Sequence, residues 1–144
     1  MSCFAFAVRE AHWQTDVELL RSVRQTVFVI EQRVPASLEF DPDDILHQHV
    51  IAIDAQGDPI GTGRLSATGK IGRMAVMKHA RCNGVGSAML DALVVLAKAR
   101  DLPAVALSSQ LHALPFYRRH GFQEQGDTYI EAGIPHQSMT RSIQ

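Results

Sequence analysis

The chain has 144 residues, 46% hydrophobic and 20% charged, which suits one globular domain (residues 1–144) with a core of its own. Its 14 basic and 15 acidic side chains leave a formal charge of −1, excluding the broad cationic surface that nucleic-acid binding needs. No apolar run reaches the roughly 18 residues that cross a bilayer, so no membrane partner is expected.

The N-terminal run Met1-Ser2-Cys3-Phe4-Ala5-Phe6 has no basic region ahead of its short apolar stretch and does not read as a signal peptide. The two cysteines, Cys3 and Cys82, form neither a metal-ligand spacing nor a disulfide framework, although a pairing between them stays open. The expected address is the cytoplasm.

Residues Phe4 to Arg9 read as a short strand. Thr15 and Glu18 have capping-box spacing, and Val17, Leu20, Val23, Val27 and Ile30 follow at helical intervals, predicting a helix to about Val29. Glu39, Asp41, Asp43 and Asp44 then fall in an acidic segment with prolines at 35 and 42, which reads as loop or broken helix. These acids read best as a solvated surface, with attraction of a cationic amine as the alternative.

Three strands follow, His49 to Asp54, Pro59 to Ser66 and Lys70 to Met77, with turns at Gln56-Gly57-Asp58 and Thr68-Gly69. Such short connections make an antiparallel meander. From Gly84 the period changes, and Val85, Met89, Ala92, Leu93 and Leu96 mark a helix that ends before Pro103. Ala104 to Ser108 is a buried strand, Ala113 to His120 a short helix stopped by Gly121, and Phe122 and Met139 fall in two closing strands interrupted by Gly133 and Pro135. The fold class is therefore α/β (α+β): a mixed sheet with an antiparallel first half, a central β–α–β unit and flanking helices.

The most informative stretch is Arg81-Cys82-Asn83-Gly84-Val85-Gly86-Ser87-Ala88. Its glycines lack Cβ atoms where a strand turns into a helix, and the first N–H groups of that helix are free to face an anion. The same glycines also suit a tight connection with no ligand. The spacing is not G-x-G-x-x-G, and no lysine follows the second glycine, so neither a Rossmann site nor a P-loop fits.

Arg-x-x-Gly-x-Gly at this place resembles the acetyl-CoA pyrophosphate motif of the GCN5-related N-acetyltransferases. Gln110-Leu111-His112-Ala113-Leu114-Pro115-Phe116-Tyr117, followed by His120-Gly121-Phe122, resembles that family's N-x-x-A-x-x-F-Y…G-F signature, with Gln110 in place of asparagine. Phe28-Val29-x-Glu31-Gln32, the acidic segment with His49, and Glu131-Ala132-Gly133-Ile134-Pro135-His136 with Met139 are similar to the ElaA/YjcF-type branch.

This resemblance implies the GNAT fold, with two parallel central strands splayed around the cofactor, and acetyl transfer from acetyl-CoA to an amine acceptor. It implies cofactor contacts at Met74, Ala75 and Val76, a pyrophosphate site from Arg81 through Asn83, Gly84, Val85, Gly86, Ser87 and Ala88, and further cofactor-site positions at Gln110 and Phe116. Tyr117 becomes the general acid for the leaving sulfur, although Phe116 and Tyr117 also read as core aromatics. A homodimer is implied as well.

The base is not given by the motif, because Lys70 to Val76 holds no carboxylate. Glu31 is the candidate, since a carboxylate closing an apolar helix can be desolvated and raised in pKa, but it also reads as an exposed charge. His49, His136 and a water chain are alternatives. Cys82 would sit beside the pyrophosphate, away from the thioester. The seven histidines are scattered, and His47-x-His49 is too weak a pattern for a metal site, so none is expected. The rival reading is a non-enzymatic acyl-CoA-binding domain, which needs neither acid nor base.

Overall fold

The computed structural model describes residues 4–144; Cys3, and with it any pairing to Cys82, lies outside the described residues. Strand β1 (Phe6–Ala11) begins two residues later than expected and pairs antiparallel with β2 (Gln48–Asp54), which leads through β3 (Pro59–Leu65) to β4 (Lys70–Val76) as the expected meander. Helices α1 (Trp13–Arg24) and α2 (Ala36–Glu39) lie between β1 and β2 in the chain. Helix α3 (Val85–Ala99) crosses from β4 to the parallel strand β5 (Ala104–Gln110). After the short helix α4 (Leu114–Arg119), β6 (Gln123–Glu131) and β7 (Ile134–Ser142) close the sheet in the order β1-β2-β3-β4-β5-β7-β6.

The middle of the sheet is buried on both faces, and β2 shows why its sequence lacks alternation. Val50 and Ala52 join the large cluster with Met89, Leu90 and Leu93 of α3, whereas Ile51 packs with Leu20 of α1. Successive residues of a strand point to opposite faces, so α1 and α3 cover opposite sides. Burial of these side chains contributes on the order of 1.5–3 kcal/mol each.

Helix α1 departs from the expected capping box. It starts at Trp13 behind the extended residue His12, whose N–H donates to Asp16 at 2.9 Å, while Thr15 Oγ1 donates to the His12 carbonyl at 3.4 Å. Asp16 also accepts two bonds of 3.0 Å from Arg9 of β1. The Arg9 guanidinium, helped by the His12 N–H, lowers the Asp16 pKa to about 2. We expect Asp16→Ala to cost about 1 kcal/mol, as loss of a helix-start bond does. Because the folded pKa lies below the unfolded value near 3.9, that contribution is present above about pH 4 and is lost as pH falls towards 2. Melting curves of both proteins from pH 7 to pH 2 should therefore converge at the acid end.

The helix continues past Arg24 as a π-helix from Gln25 to Glu31. Its wider i→i+5 turns shift the phase of the apolar stripe. Val23 and Val27 stay buried against Ala75 of β4, but Ile30 is 65% exposed, contrary to the helical spacing in the sequence.

The acidic segment is the largest difference. Glu39 and Asp44, expected in a solvated loop, are 3% and 1% exposed. Arg24 Nε donates to Glu39 at 2.9 Å and its Nη1 lies 3.1 Å from Asp44, while Arg64 bonds Asp44 at 2.6 Å and Arg73 lies 3.2 Å from Glu39. Three arginines from α1, β3 and β4 thus neutralise acids that sequence distance hides from them. Burial raises the Glu39 pKa despite these cations; at Asp44 burial also pushes upward, but the bonds and charges of Arg24 and Arg64 outweigh it and the net shift is downward.

At the far end, Ala132 and Gly133 both take positive φ (52° and 76°), the conformation of a two-residue hairpin turn. Pro135 does not interrupt the hairpin: it lies inside β7, opposite Ile130 of β6.

Candidate active site

The parallel strands β4 and β5 pair only at Lys70↔Ala106 and Ile71↔Leu107, and then part. Just beyond, β3 pairs Arg64 with Gly72 and Thr62 with Ala75, so Gly63 alone stands opposite both Arg73 and Met74. Arg73 adopts φ 52°, the mark of a bulge that bends its strand. The bulge also sorts side chains. Met74 runs to the α3 side, its sulfur 2.8 Å from where a Gly63 Cβ would sit, whereas Arg73 reaches the Leu38 and Glu39 carbonyls on the α1 side. From Gly72 to Val76 no strand among the described residues pairs with the β5-facing edge of β4, leaving a row of backbone groups along the gap. A cleft of about 610 Å³ lies there, lined by Gln32, Arg73, Ser108, Tyr117, Glu131 and His136 among others.

The glycine turn ends at this cleft's neighbour, the start of α3. Gly84 caps α3 in the left-handed conformation (φ 82°), with open space where a Cβ would stand. The first bond across it runs from Ala88 N–H to the Gly84 carbonyl, so the N–H groups of Val85, Gly86 and Ser87 have no partner within the helix. Asn83 holds the turn itself, donating to the Ala80 and Arg81 carbonyls at 3.1 and 2.9 Å. Gly86 is small for a packing reason: a Cβ there would lie 3.4 Å from Phe116 Cζ, which fixes α4 against α3. Ser87 Oγ meets His120 Nε2 at 3.0 Å. This cradle fits a pyrophosphate: three free N–H groups at the positive end of a 15-residue helix, with room above the glycine.

Arg81 and Glu31 are brought together, which the sequence did not suggest. Both terminal nitrogens of Arg81 bond both oxygens of Glu31 at 2.8 Å, and Arg81 Nε donates to the Val76 carbonyl at 2.9 Å. The hydrogen bonds from Arg81 lower the Glu31 pKa, opposite to the upward shift expected of a desolvated base. Glu31 is therefore Arg81's partner in this structure.

Tyr117 is half-buried, its ring edge-on to Phe116 at 5.0 Å and to Phe122 at 5.9 Å. Burial pushes its phenol up to about pKa 12, so it stays protonated across the neutral range. Gln110 donates to Gln32 at 2.8 Å and its carbonyl oxygen meets His112 Nε2 at 2.8 Å, tying the end of the π-helix to β5. His49 is buried, stacked on Trp13 with Nε2 2.7 Å from the Asp44 carbonyl, and burial lowers its pKa. His136, by contrast, faces the cleft.

Ser108 and Tyr129 escaped the sequence reading; their hydroxyls bond one another at the cleft wall beside Glu131. The signal available was alternation, which places Ser108 and Gln110 on one face of β5, opposite Ser138 and His136 of β7. Cys82 is exposed on the turn.

Residues 20–143 match the acetyltransferase (GNAT) domain family. The N-acetyltransferase YjcF of Bacillus subtilis, itself uncharacterised, is 36% identical over 123 residues, spanning 83% of this chain and 87% of that protein. Among solved structures, an acyl-CoA N-acyltransferase from Pseudomonas aeruginosa superposes with a TM-score of 0.84 at 29% identity, covering 95% of this chain and 99% of that one. Escherichia coli ElaA gives 0.84 at 25% identity, covering 94% and 99%.

Proposed function

This chain belongs to the GNAT acetyltransferase family, and from that premise we propose that it transfers an acetyl group from acetyl-CoA to a primary amine of a small molecule or peptide, by direct attack, with Tyr117 as the acid at sulfur. The family's acyl-CoA chemistry meets a matching site here. The observation that carries the reading is the gap between β4 and β5, which opens on a cleft lined by Tyr117, together with the free N–H groups at the start of α3, the helix that follows β4.

In this reading the pyrophosphate lies on Val85, Gly86 and Ser87, and the pantetheine arm pairs with the open edge of β4 near Met74, Ala75 and Val76, as an added strand would. An N–H of that edge stabilises the oxyanion as the amine nitrogen attacks the thioester carbon. The C–S bond then breaks. A thiol titrates near 8.5, well below Tyr117 at about 12. The phenol accordingly hydrogen-bonds the leaving sulfur and relays to it a proton from the former amine nitrogen, giving amide and free thiol.

Among the described residues no helix is long and apolar enough to cross a membrane. We assign the enzyme to the cytoplasm as a homodimer; the resemblance and the fully exposed edge strand β6 support the second point, and light scattering at twice the chain mass is the expected result.

Calorimetric titration with acetyl-CoA and with CoA tests the cofactor assignment. The wild type should bind in the micromolar range, and an Arg81→Ala, Gly84→Asp double variant should lose that binding while keeping its fold. A folded wild type that binds neither molecule would sink the proposal. Binding without turnover on any amine would favour an acyl-CoA-binding domain instead.

A further inference from the structure

We propose that His136 is the general base that takes the acceptor's proton, with Glu131 stabilising the imidazolium that results. This rests on the N-acetyltransferase reading and supplies the group that the glycine turn and the Tyr117 motif leave unassigned.

The register places His136 of β7 opposite Gln110, the last residue of β5, at the point where the β4–β5 gap has opened. Paired residues on neighbouring strands share a face, so the imidazole lies on the cleft side, in the same cleft as Tyr117. Its Nδ1 is 2.6 Å from the Ile134 carbonyl oxygen. A carbonyl can only accept, so Nδ1 carries the hydrogen, and in the neutral ring Nε2 keeps its lone pair. This is the tautomer a base needs, fixed by the backbone of its own strand.

Nε2 faces Glu131, whose Oε2 is 3.7 Å away. That is too long for a hydrogen bond but close enough for the carboxylate charge to act on an imidazolium formed during the step. The same Oε2 accepts a long contact of 3.5 Å from Ser108 Oγ, which also meets the Tyr129 hydroxyl. The Tyr129 ring stacks on the imidazole with centroids 6.2 Å apart, which limits its rotation. Facing this ring are Gln110 from β5, Tyr129 and Glu131 from β6, and His112 beyond Gln110. Arg73 and Glu39 line the same cleft and are paired to each other.

Three other acids or imidazoles in or near the cleft are occupied, while His47 also lines it, with its Nδ1 buried and without a partner among the described residues. Glu31 is tied to Arg81, Glu39 is bonded to Arg24 beneath the surface, and His112 Nε2 is taken by Gln110. In the step proposed, His136 Nε2 accepts a proton from the amine as the nitrogen lone pair becomes available for attack. The imidazolium then returns its proton to solvent, and no oxidant or further co-reactant is needed.

Two measurements test this. In the first, ¹⁵N spectra of histidine-labelled protein at pH 8 should show His136 as the Nδ1–H tautomer; an Nε2–H tautomer would overturn the assignment whether or not an acceptor is known. In the second, thiol release is followed with a fixed set of amines: an amino acid, a polyamine, an amino sugar and a peptide N-terminus. His136→Asn should lower kcat about 10²–10⁴-fold and remove the acid limb of its pH profile, with acetyl-CoA affinity unchanged by calorimetry. Glu131→Gln should lower kcat less, about tenfold, because the imidazolium formed in the step loses a neighbouring charge. His136→Gln serves if the asparagine variant melts early. Wild-type kcat and pH profile in either folded His136 variant would refute the role. Failure of the wild type to bind acetyl-CoA would instead refute the reading beneath it.

Discussion

Tyr117→Phe is expected to lower kcat about 10²–10⁴-fold, the range for losing a positioned acid, while acetyl-CoA affinity stays within a few-fold of wild type. The substitution removes one oxygen and leaves the ring, so the edge-on contacts with Phe116 and Phe122 persist. No hydrogen bond to the phenol oxygen occurs among the described residues, so little stability should be lost with it. The loss should therefore fall on the chemical step. Single-turnover thiol release, which isolates that step from product departure, is the decisive measurement. A folded variant that releases thiol at the wild-type rate would show that Tyr117 packs the cleft without serving the sulfur. The high phenol pKa adds a second expectation: no loss of activity from phenolate formation should appear below about pH 11, since Tyr117 titrates at about 12.

Arg24→Ala is expected to destabilise the fold by about 3–5 kcal/mol, the usual cost of stranding a buried charge. Arg24 is 1% exposed, and its guanidinium is the shared partner of Glu39 and Asp44, which are equally hidden. It also packs against Trp13 and Phe40, 5.8 and 5.3 Å from their ring centres. Removing it leaves Arg64 and Arg73 to serve Asp44 and Glu39 from one side only. Against a total stability of about 5–15 kcal/mol for a domain, this is a large fraction. Urea unfolding gives the value directly. A change below about 1 kcal/mol would mean that water replaces the arginine and that the network is less dry than its burial indicates. Because Glu39 and Arg73 line the cleft, a destabilised network should also loosen the acceptor side before the cofactor turn.

Added salt separates two views of the acidic segment. Were Glu39, Asp41, Asp43 and Asp44 to steer a cationic acceptor, its KM would rise with ionic strength. With Glu39 and Asp44 already neutralised by three arginines, little such dependence is expected.

Much of the architecture was legible in the chain because it depends on neighbours in sequence. The meander from Gln48 to Val76 follows from short turns that allow only antiparallel pairing. The crossover from β4 through α3 to β5 follows from a change of period at Gly84. The helix-start cradle was visible for the same reason, since Gly84 and the free N–H groups beside it are local in the chain. Pro135 misled because one rule about breakers ignored that a strand tolerates proline near its end.

What the sequence determined by itself was thus local: element types, their order, and a turn built for an anion. Only the tertiary structure decided the electrostatics. Arg81 and Glu31 are 50 positions apart, Arg24 and Glu39 15, and Arg73 and Glu39 34. Charge strength falls with distance in space and burial multiplies it, and neither quantity can be read along a chain. Hence the carboxylate expected to act as a base is held ionised by Arg81, two of the four acids expected in water are buried, and His136 is brought to the cleft from the far end of the chain.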